Sequence, residues 1–287
     1  MIPPWQKLGF KLKLGLRSRH ESQWLPLKDI FGDNDERATQ IDQKSHLFAT
    51  KHAEVFSALP AAESASLELL ELVYEHISKY HLSTPPPINP ALHPLESAAR
   101  SLPEDLLLIA PRYISNSSQS DAISWHLEAA ALAFPAHWVL AEKMNQPLRA
   151  IHQPVPHYDE KLASPVDRFF TTMQIGPISS RQNWSLQFGD QLFSPQRSKR
   201  QSSTTNNGLE ELFLRIENQT LRKLPKTGYV AFTIRTHLLP MTLWQEDRDA
   251  LQSLFEMMQE MSTGTKLYKG TSLFAPVIKN ALKKLGE

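Results

Sequence analysis

The most suggestive residues for chemistry lie in "AIHQPVPHYDEK", residues 150–161, where two prolines separate two histidines. Proline fixes its own backbone angle and keeps the preceding residue out of the helical region. The backbone at His152 should therefore be held extended, outside any long helix. A histidine held in this way is a candidate metal ligand. The alternative is a histidine that caps the proline turn, and His157 competes locally for any ligand role.

Cysteine is absent from the 287 residues. The chain therefore has no disulfide, no thiolate nucleophile, no zinc–cysteine site and no cysteine-held iron–sulfur cluster. Eleven histidines remain as the main pool of metal ligands.

Charge and hydropathy exclude several other classes of protein. The formal net charge of +1 does not favour binding to nucleic acid or to a membrane surface. No apolar run reaches the length of a transmembrane helix, and the basic N-terminus lacks the apolar core of a signal peptide, so we expect a cytoplasmic protein. The motifs GxGxxG, GxxxxGK, HExxH and GxSxG are missing, so nucleotide, zinc-protease and hydrolase sites have no support.

Hydrophobic periodicity predicts the elements that must position these residues. Helices are predicted at 36–58, 64–80, in short pieces over 136–173, at 245–261 and at 271–285. Strands are predicted at 105–114, 123–135, 183–188, 211–218 and 229–239, and a further half-exposed strand runs from Phe10 to Arg17. The proline-rich segment 82–94 is the best internal boundary, and the polar loop 194–208 is expected to be mobile.

From residue 105 onward the order is two strands, several helices and three strands. This α+β order resembles a PAS-like domain, in which five antiparallel strands, with helices inserted after the second, curl around a pocket. We therefore predict an N-terminal helical arm over residues 1–90, a PAS-like core over 91–241, and C-terminal helices over 242–287 that pack on the core. Many α+β domains share this order of elements.

Five motifs in this region together resemble one family. They are "HPLESAARSLPEDLLLI" (93–109), "FPAHWVLAEKMNQPLRAIHQPVPHYDEKLASPVDRFF" (134–170), "RQNWSL" (181–186), "LRIENQTLRKLPKTGYVAFTIRTHLLPM" (214–241) and "YKG" (268–270). The resemblance is to the haem-binding subunit of haem-dependent oxidative N-demethylases, which are built on a PAS-like fold.

The resemblance implies a b-type haem in this chain and an oxygen-dependent, monooxygenase-type removal of a methyl group from a small secondary amine such as dimethylamine, with release of formaldehyde. It also implies partner reductase subunits that deliver electrons from NADPH through FMN and an iron–sulfur cluster. The absence of cysteine agrees with this division of cofactors between subunits, because a cysteine-held cluster must then lie in another polypeptide.

Within this resemblance, several residues receive candidate roles. His152 is the expected axial ligand of the haem iron, and Glu217 is the expected counter-charge for the protonated amine. Asn183 is a candidate to hydrogen-bond the bound oxygen or the substrate, and Arg235 is a candidate to meet the haem carboxylates or Glu217. The further candidates for cofactor binding are Tyr158, Arg168 and Trp184.

Each role has a structural alternative. Tyr158 could simply pack on the following helix, Trp184 could close the core, and Arg168 could form a surface pair with Asp167. Glu217 could form an ion pair with Arg235 or Arg222, and His126 or His237 could reach the same pocket as His152.

At the level of the whole chain, the alternatives are a non-catalytic haem or small-molecule sensor of the PAS type and a structural protein that has lost its haem. The polar set of Asn183, Glu217 and Arg235 favours an enzyme, because a pure gas sensor would not need it.

Overall fold

Seven antiparallel strands form the sheet of this α+β protein within the residues described by the structure, a computed structural model that covers 3–8, 14–28, 31, 34–114, 122–196 and 208–286. The strands are β1 (Arg17–Arg19), β2 (Phe56–Ala58), β3 (Asp105–Ile114), β4 (Ala122–Ala131), β5 (Ile178–Phe188), β6 (Leu212–Lys223) and β7 (Val230–Pro240). Their order across the sheet is β1-β5-β6-β7-β3-β4-β2. The strand predicted from Phe10 to Arg17 lies partly outside the described residues. The loop predicted at 194–208 lies mostly outside them.

The sheet is larger than the five strands predicted from the sequence. The five long strands β3 to β7 occupy the predicted order, and the helices between β4 and β5 are inserted after the second of them. The two additional strands are three residues each and come from the N-terminal segment, where β1 pairs with β5 and β2 pairs with β4. A sheet edge presents unpaired backbone groups to which such short segments can pair. Residues 56–58, predicted to be helical, are therefore a strand.

Twelve α-helices accompany these strands in the described part of the chain. They are α1 (Pro4–Leu8), α2 (Asn34–Thr50), α3 (His52–Val55), α4 (Glu63–His76), α5 (Pro94–Arg100), α6 (Leu140–Lys143), α7 (Leu148–Ile151), α8 (Tyr158–Lys161), α9 (Ala163–Thr172), α10 (Arg248–Glu260), α11 (Thr263–Lys269) and α12 (Thr271–Lys284). On α4, Leu69, Leu70 and Val73 recur at helical spacing and are buried. None of the helices in these residues combines the length and apolarity needed to cross a bilayer.

Strand register divides the sheet into two differently covered faces. On one face Asn183 lies opposite Glu217, and Phe232 lies opposite both Leu221 and Leu107. Leu107, Leu221 and Phe232 share a hydrophobic cluster with residues of the inserted helices, namely Leu148, Ile151, Tyr158, Val166 and Phe170. We call this side, which carries Asn183, Glu217 and Phe232, the short-helix face.

The opposite side, which carries Trp184, Ile216 and Ala231, is called the long-helix face. Ala231 packs in a cluster with Phe48 of α2, Leu69 of α4 and Leu95 of α5. Trp184 and Ile216 pack with α10 and α12 through Leu251, Leu254, Val277 and Ile278. The predicted boundaries at residues 90 and 241 remain predictions, and residues on both sides of each contribute to these clusters.

Helix α4 ends in a π-helical turn, Ile77–His81, next to a buried histidine. His76 is 2% exposed, and both of its ring nitrogens are buried without a hydrogen-bond partner. The rings of Trp24, Tyr80 and His81 surround it at centroid distances of 5.5, 4.8 and 5.3 Å. Burial and the neighbouring His81 together lower the pKa of His76 to about 4, so the imidazole is neutral at pH 7.

Candidate functional site

His152 is the C-cap of helix α7, at the point where the proline-framed segment begins, and its backbone (φ −92°, ψ 2°) is not extended as predicted, because its N–H continues the helical hydrogen bonding to the Leu148 carbonyl. Its Nδ1 lies 2.8 Å from the backbone oxygen of Leu148. A carbonyl oxygen can only accept a hydrogen bond, so Nδ1 carries the proton and the lone pair is on Nε2. No hydrogen bond to Nε2 occurs among the described residues. Burial lowers the pKa of His152, as do the charges of Arg181 and Lys143, so the ring is neutral at pH 7.

The phenol ring of Tyr158 fixes the plane of this imidazole. The two rings are stacked with a centroid distance of 4.7 Å and an interplanar angle of 6°. Tyr158 is 4% exposed and belongs to the cluster that covers the short-helix face. Burial, together with the charges of Asp167 and Asp159, raises the pKa of its phenol to about 12, so Tyr158 stays protonated. The alternative role expected for Tyr158 was packing on the following helix. Tyr158 does pack in the structure, within the cluster that includes Val166 and Phe170 of α9, and its ring stacks on His152.

The other candidate histidines are directed elsewhere. His157 is exposed, adopts a left-handed backbone conformation (φ 59°), and places Nδ1 3.1 Å from Glu160 Oε2. His126 contacts the Asn145 carbonyl and the Ser124 hydroxyl through its two ring nitrogens. His237 is fully buried on the long-helix face, with Nδ1 3.0 Å from each carboxylate oxygen of Glu36.

Glu217 lies on β6, on the short-helix face, within a set of amide and guanidinium donors. Asn183 Nδ2 and Gln219 Nε2 donate to Glu217 Oε2 at 3.3 and 3.0 Å, and Arg215 Nε donates to Oε1 at 3.3 Å. The Glu217 side chain is 15% exposed. Asn183 is its direct cross-strand neighbour, so the sheet brings these two candidate residues together.

Arg215 anchors this set to the interior. It is 1% exposed, and its Nη2 donates to the Phe134 carbonyl while Nη1 donates to the Leu192 carbonyl at 3.2 Å. A third acceptor, Gln187 Oε1, lies 3.4 Å from Nη1. The ion pair that Glu217 forms is thus with Arg215, a residue to which the sequence analysis assigned no role.

Arg235 is not part of this set, contrary to expectation. Glu217 lies opposite Thr236 in the sheet, so the side chain of Arg235 projects to the long-helix face. Its Nη2 lies 3.3 Å from Glu36 Oε2, on α2. The other expected partner, Arg222, lies on the same long-helix face and pairs with Glu21 at 2.7 Å. The structure therefore forms neither of the two ion pairs expected for Glu217.

Trp184 and Arg168 also lie away from His152. Trp184 is a core residue of the long-helix face, 6% exposed, with its ring 6.3 Å from that of Trp5. Arg168 is exposed on α9, next to the exposed Asp167. The alternative expected for Trp184, closure of the core, matches its position.

Two cations near Glu217 were not selected from the sequence, Arg181 on β5 and Lys269 at the end of α11. The charge of Glu217 raises the pKa of both, whereas burial lowers the pKa of both, to about 8 for Lys269. Both residues lie in motifs that carry the family resemblance, "RQNWSL" and "YKG". Arg181 also precedes Asn183 by two positions, and this spacing on a strand indicates that both residues share a face. That signal was available in the sequence.

The arrangement brings a neutral histidine with an available Nε2, a carboxylate held by amides, and the half-buried Arg181 to the short-helix face, whereas Lys269 lies beside Trp184 of the long-helix face. Comparison with known protein families gives a match over residues 76–279, to the family described as haem-dependent oxidative N-demethylase, alpha subunit-like. The match includes α7, α8, β5, β6 and α11, and therefore every element that supplies the site. The chain belongs to the haem-dependent oxidative N-demethylase, alpha subunit-like family.

Proposed function

We propose that this chain is the haem-carrying, substrate-oxidising subunit of an oxidative amine demethylase, with a PAS-like core. The observation that carries the proposal is the orientation of His152, whose Nε2 is available in a ring fixed by Leu148 and Tyr158. The family match supports haem-dependent oxidation, and the alpha-subunit description implies an enzyme with further subunits.

The residues present fit a haem group. A haem iron takes one or two axial ligands from the protein, so a single correctly oriented histidine is sufficient. The hydrogen bond from Nδ1 to a backbone carbonyl is the interaction that typically orients a metal-bound imidazole and strengthens its basicity. The tautomer required for binding through Nε2 is the one that the structure already favours.

When bound, the haem supplies oxygen activation and electron transfer. His152 would hold the iron through Nε2, because its Nδ1–H is held by the Leu148 carbonyl and its ring plane is held by Tyr158. The stacked aromatic pair also keeps the apolar side of this region dry, since Tyr158 is packed among Leu148, Ile151 and Val166.

Glu217 is proposed to hold the protonated amine. A secondary amine such as dimethylamine is cationic near pH 7, and a buried cation without a counter-charge is costly. The amides of Asn183 and Gln219 fix the direction of the carboxylate by donating to Oε2, and Oε1, which accepts from Arg215 Nε, has a second lone pair that can accept an N–H of the substrate. The neighbouring methyl group would then be presented for hydroxylation, with O2 as the oxidant and two electrons from the partner subunits, and breakage of the C–N bond of the hydroxymethylamine would release formaldehyde and methylamine.

Electrons for this reaction are proposed to come from partner reductase subunits that carry FMN, an iron–sulfur cluster and the NADPH site. This chain has no cysteine and no GxGxxG motif. Its own residues would therefore serve haem and amine binding alone.

The test is the absorption spectrum of the purified chain reconstituted with haem b. His152→Ala should abolish or strongly shift the Soret band, because the axial ligand is lost. The matched control is His157→Ala, which removes an exposed imidazole five residues away and should leave the spectrum unchanged. Normal haem content and a normal Soret band in His152→Ala would refute the assignment.

The same preparation separates an enzyme from a haem sensor. With a reductase, NADPH and dimethylamine, an enzyme releases formaldehyde continuously, whereas a sensor shows only a spectral change on binding. Absence of formaldehyde with a competent reductase would favour the sensor.

A further inference from the structure

Helix α11 lies beside the proposed site without being part of the core. None of its seven residues, all of which the structure describes, is buried. The large side chains of Leu267 and Tyr268 are 78% and 38% exposed. The flanking helices α10 and α12, in contrast, bury apolar residues in the core of the long-helix face. Segments with little buried apolar surface open at low free energy, so α11 is expected to be the least stable of these three helices.

The two ends of α11 reach two different sides of the site. Near its start, a Cβ atom on Gly264 would lie 3.4 Å from Cβ of Pro156, in the proline-framed segment that follows His152. At its end, Lys269 Nζ donates to the Trp184 carbonyl at 2.9 Å, at the edge of β5. The helix therefore spans the gap between the histidine segment and the edge of the sheet.

The polar side chains next to this gap belong to the proposed site. Arg181 and Asn183, two positions apart on β5, project to the short-helix face, and Asn183 donates to Glu217. Burial lowers the pKa of Arg181, whereas Glu217 and the phenol of Tyr268 raise it, so Tyr268 on α11 lies within electrostatic range of Arg181. In the described sheet, the only strand beyond β5 is β1, which pairs with residues 178–180 alone. From Arg181 onward, the outer side of the site is therefore bordered by α11 rather than by a strand.

The backbone at both ends of α11 provides points at which the helix can turn. Met261 (ψ 143°) and Ser262 (ψ 155°) are extended and separate α11 from α10. Gly270 separates α11 from α12 in the left-handed conformation (φ 66°), which glycine adopts without strain. Lids typically turn on a few residues of this kind at the ends of an element.

We propose that α11 is a lid that controls entry of the amine to the space between His152 and Glu217. In the closed position, which is the observed one, α11 bridges Pro156 and the edge of β5. In the open position it turns on its two ends and uncovers the outer side of that space. Opening costs little free energy because no buried side chain of α11 has to leave the core. The identity of the entering molecule rests on the proposed function, whereas the movement of α11 does not.

Hydrogen exchange of the wild-type chain tests the movement directly and needs neither haem nor amine. The hydrogen-bonded amides of α11 should exchange about tenfold or more faster than those of α10 and α12. Equal protection of the three helices would overturn the proposal.

A disulfide between positions 156 and 264 would lock the lid. The Cβ–Cβ distance of 3.4 Å is close to the range of about 3.5–4.5 Å that a disulfide requires, and the native chain has no cysteine. The double variant Pro156→Cys/Gly264→Cys therefore forms one defined cross-link. Its reduced form is the matched control, and Gly264→Cys alone controls for the oxidising treatment. Failure of the bond to form in a folded double variant would contradict the closed position.

The first readout on the double variant is the modification of His152 by diethyl pyrocarbonate in the chain without haem, located by mass spectrometry. His152 should react about tenfold or more slowly in the oxidised form than in the reduced form, because the lid stays closed. The exposed His157 is the internal control and should react equally in both forms. Equal rates at His152 would overturn the lid.

The second readout is the rate of the Soret change when dimethylamine is mixed with the haem-loaded double variant. Association should be about tenfold or more slower in the oxidised form and should recover on reduction. Equal rates in the two forms would show that the amine enters by another route and would overturn the role of α11 in entry. If dimethylamine causes no spectral change in wild type either, the proposed function fails, and the modification of His152 still decides whether α11 is a lid.

Discussion

Arg215 offers the sharpest test of how the site is held in place. In Arg215→Met, Glu217 loses its ion-pair partner, and the carbonyls of Phe134 and Leu192 lose their donors. At the observed N–O distance of 3.3 Å, the Coulomb energy is about 5 kcal/mol at an effective dielectric constant of 20. Desolvation of the arginine offsets part of this energy, and removal of one member of a buried pair typically costs about 3–5 kcal/mol. We expect the free energy of unfolding to fall by about 4 kcal/mol.

The assay is urea unfolding followed by circular dichroism and tryptophan fluorescence. With a slope of about 3 kcal/mol per molar urea, a loss of about 4 kcal/mol lowers the midpoint by about 1.3 M. Arg149→Met is the control, because its ion pair with Asp159 is exposed on both sides and should contribute less than about 1 kcal/mol. A midpoint for Arg215→Met within 0.3 M (about 1 kcal/mol) of wild type would show that the carbonyls and Glu217 do not depend on this arginine.

Three further outcomes are expected. Glu217→Gln should weaken the spectral change induced by dimethylamine while haem content stays intact, and a loss of folding instead would indicate a structural ion pair. Because burial lowers the pKa of His76 to about 4, the unfolded chain binds more protons between pH 6.5 and 4, and the free energy of unfolding should fall by about 3 kcal/mol as pH decreases through this window. His76→Phe should remove that part of the pH dependence. The measurement is the urea midpoint of wild type and variant at pH 7 and at pH 4.5. An equal change in midpoint between the two pH values for both proteins would contradict the pKa of His76. Finally, the isolated chain should release no formaldehyde from dimethylamine with NADPH alone, and sustained release would exclude a dedicated reductase.

Local sequence pattern was sufficient for most of the long strands. The run "DLLLIAPRYI" corresponds to β3 exactly, and the boundaries of β7 differ from the prediction by one residue at each end. Apolar and β-branched residues are concentrated in these segments, so their propensity and burial favour the same structure. The three-residue strands β1 and β2 could not be predicted, because their stability depends on the partner edge rather than on their own residues.

The relation between Glu217 and Arg235 shows why site geometry was harder to predict than secondary structure. Alternation along β7 places Arg235 on the opposite face from Phe232 and Ile234. Whether Arg235 shares a face with Glu217 depends on the register between two strands, and a shift of one residue would reverse the answer. The observed register places Thr236 opposite Glu217. Such non-local information is absent from the pattern of either strand.

Lys269 illustrates a second limit. It is separated from Trp184 by 85 positions, yet its ammonium binds the carbonyl of that residue. Helix α11 was not predicted, since its seven residues carry little hydrophobic periodicity. A resemblance that included "YKG" was therefore a better guide to this residue than the local pattern was.

The position of α11 has a consequence for the order in which the protein is made. The residues that orient the proposed iron ligand, His152 and Tyr158, leave the ribosome well before Lys269 does. At a synthesis rate of about 5–20 residues per second, the intervening 111 residues after Tyr158 require roughly 6–22 s. During that interval the nascent chain has its histidine but lacks the lysine that binds the open edge of β5. The covering of this edge of the sheet should accordingly be a late event, completed only when the C-terminal segment folds back onto β5.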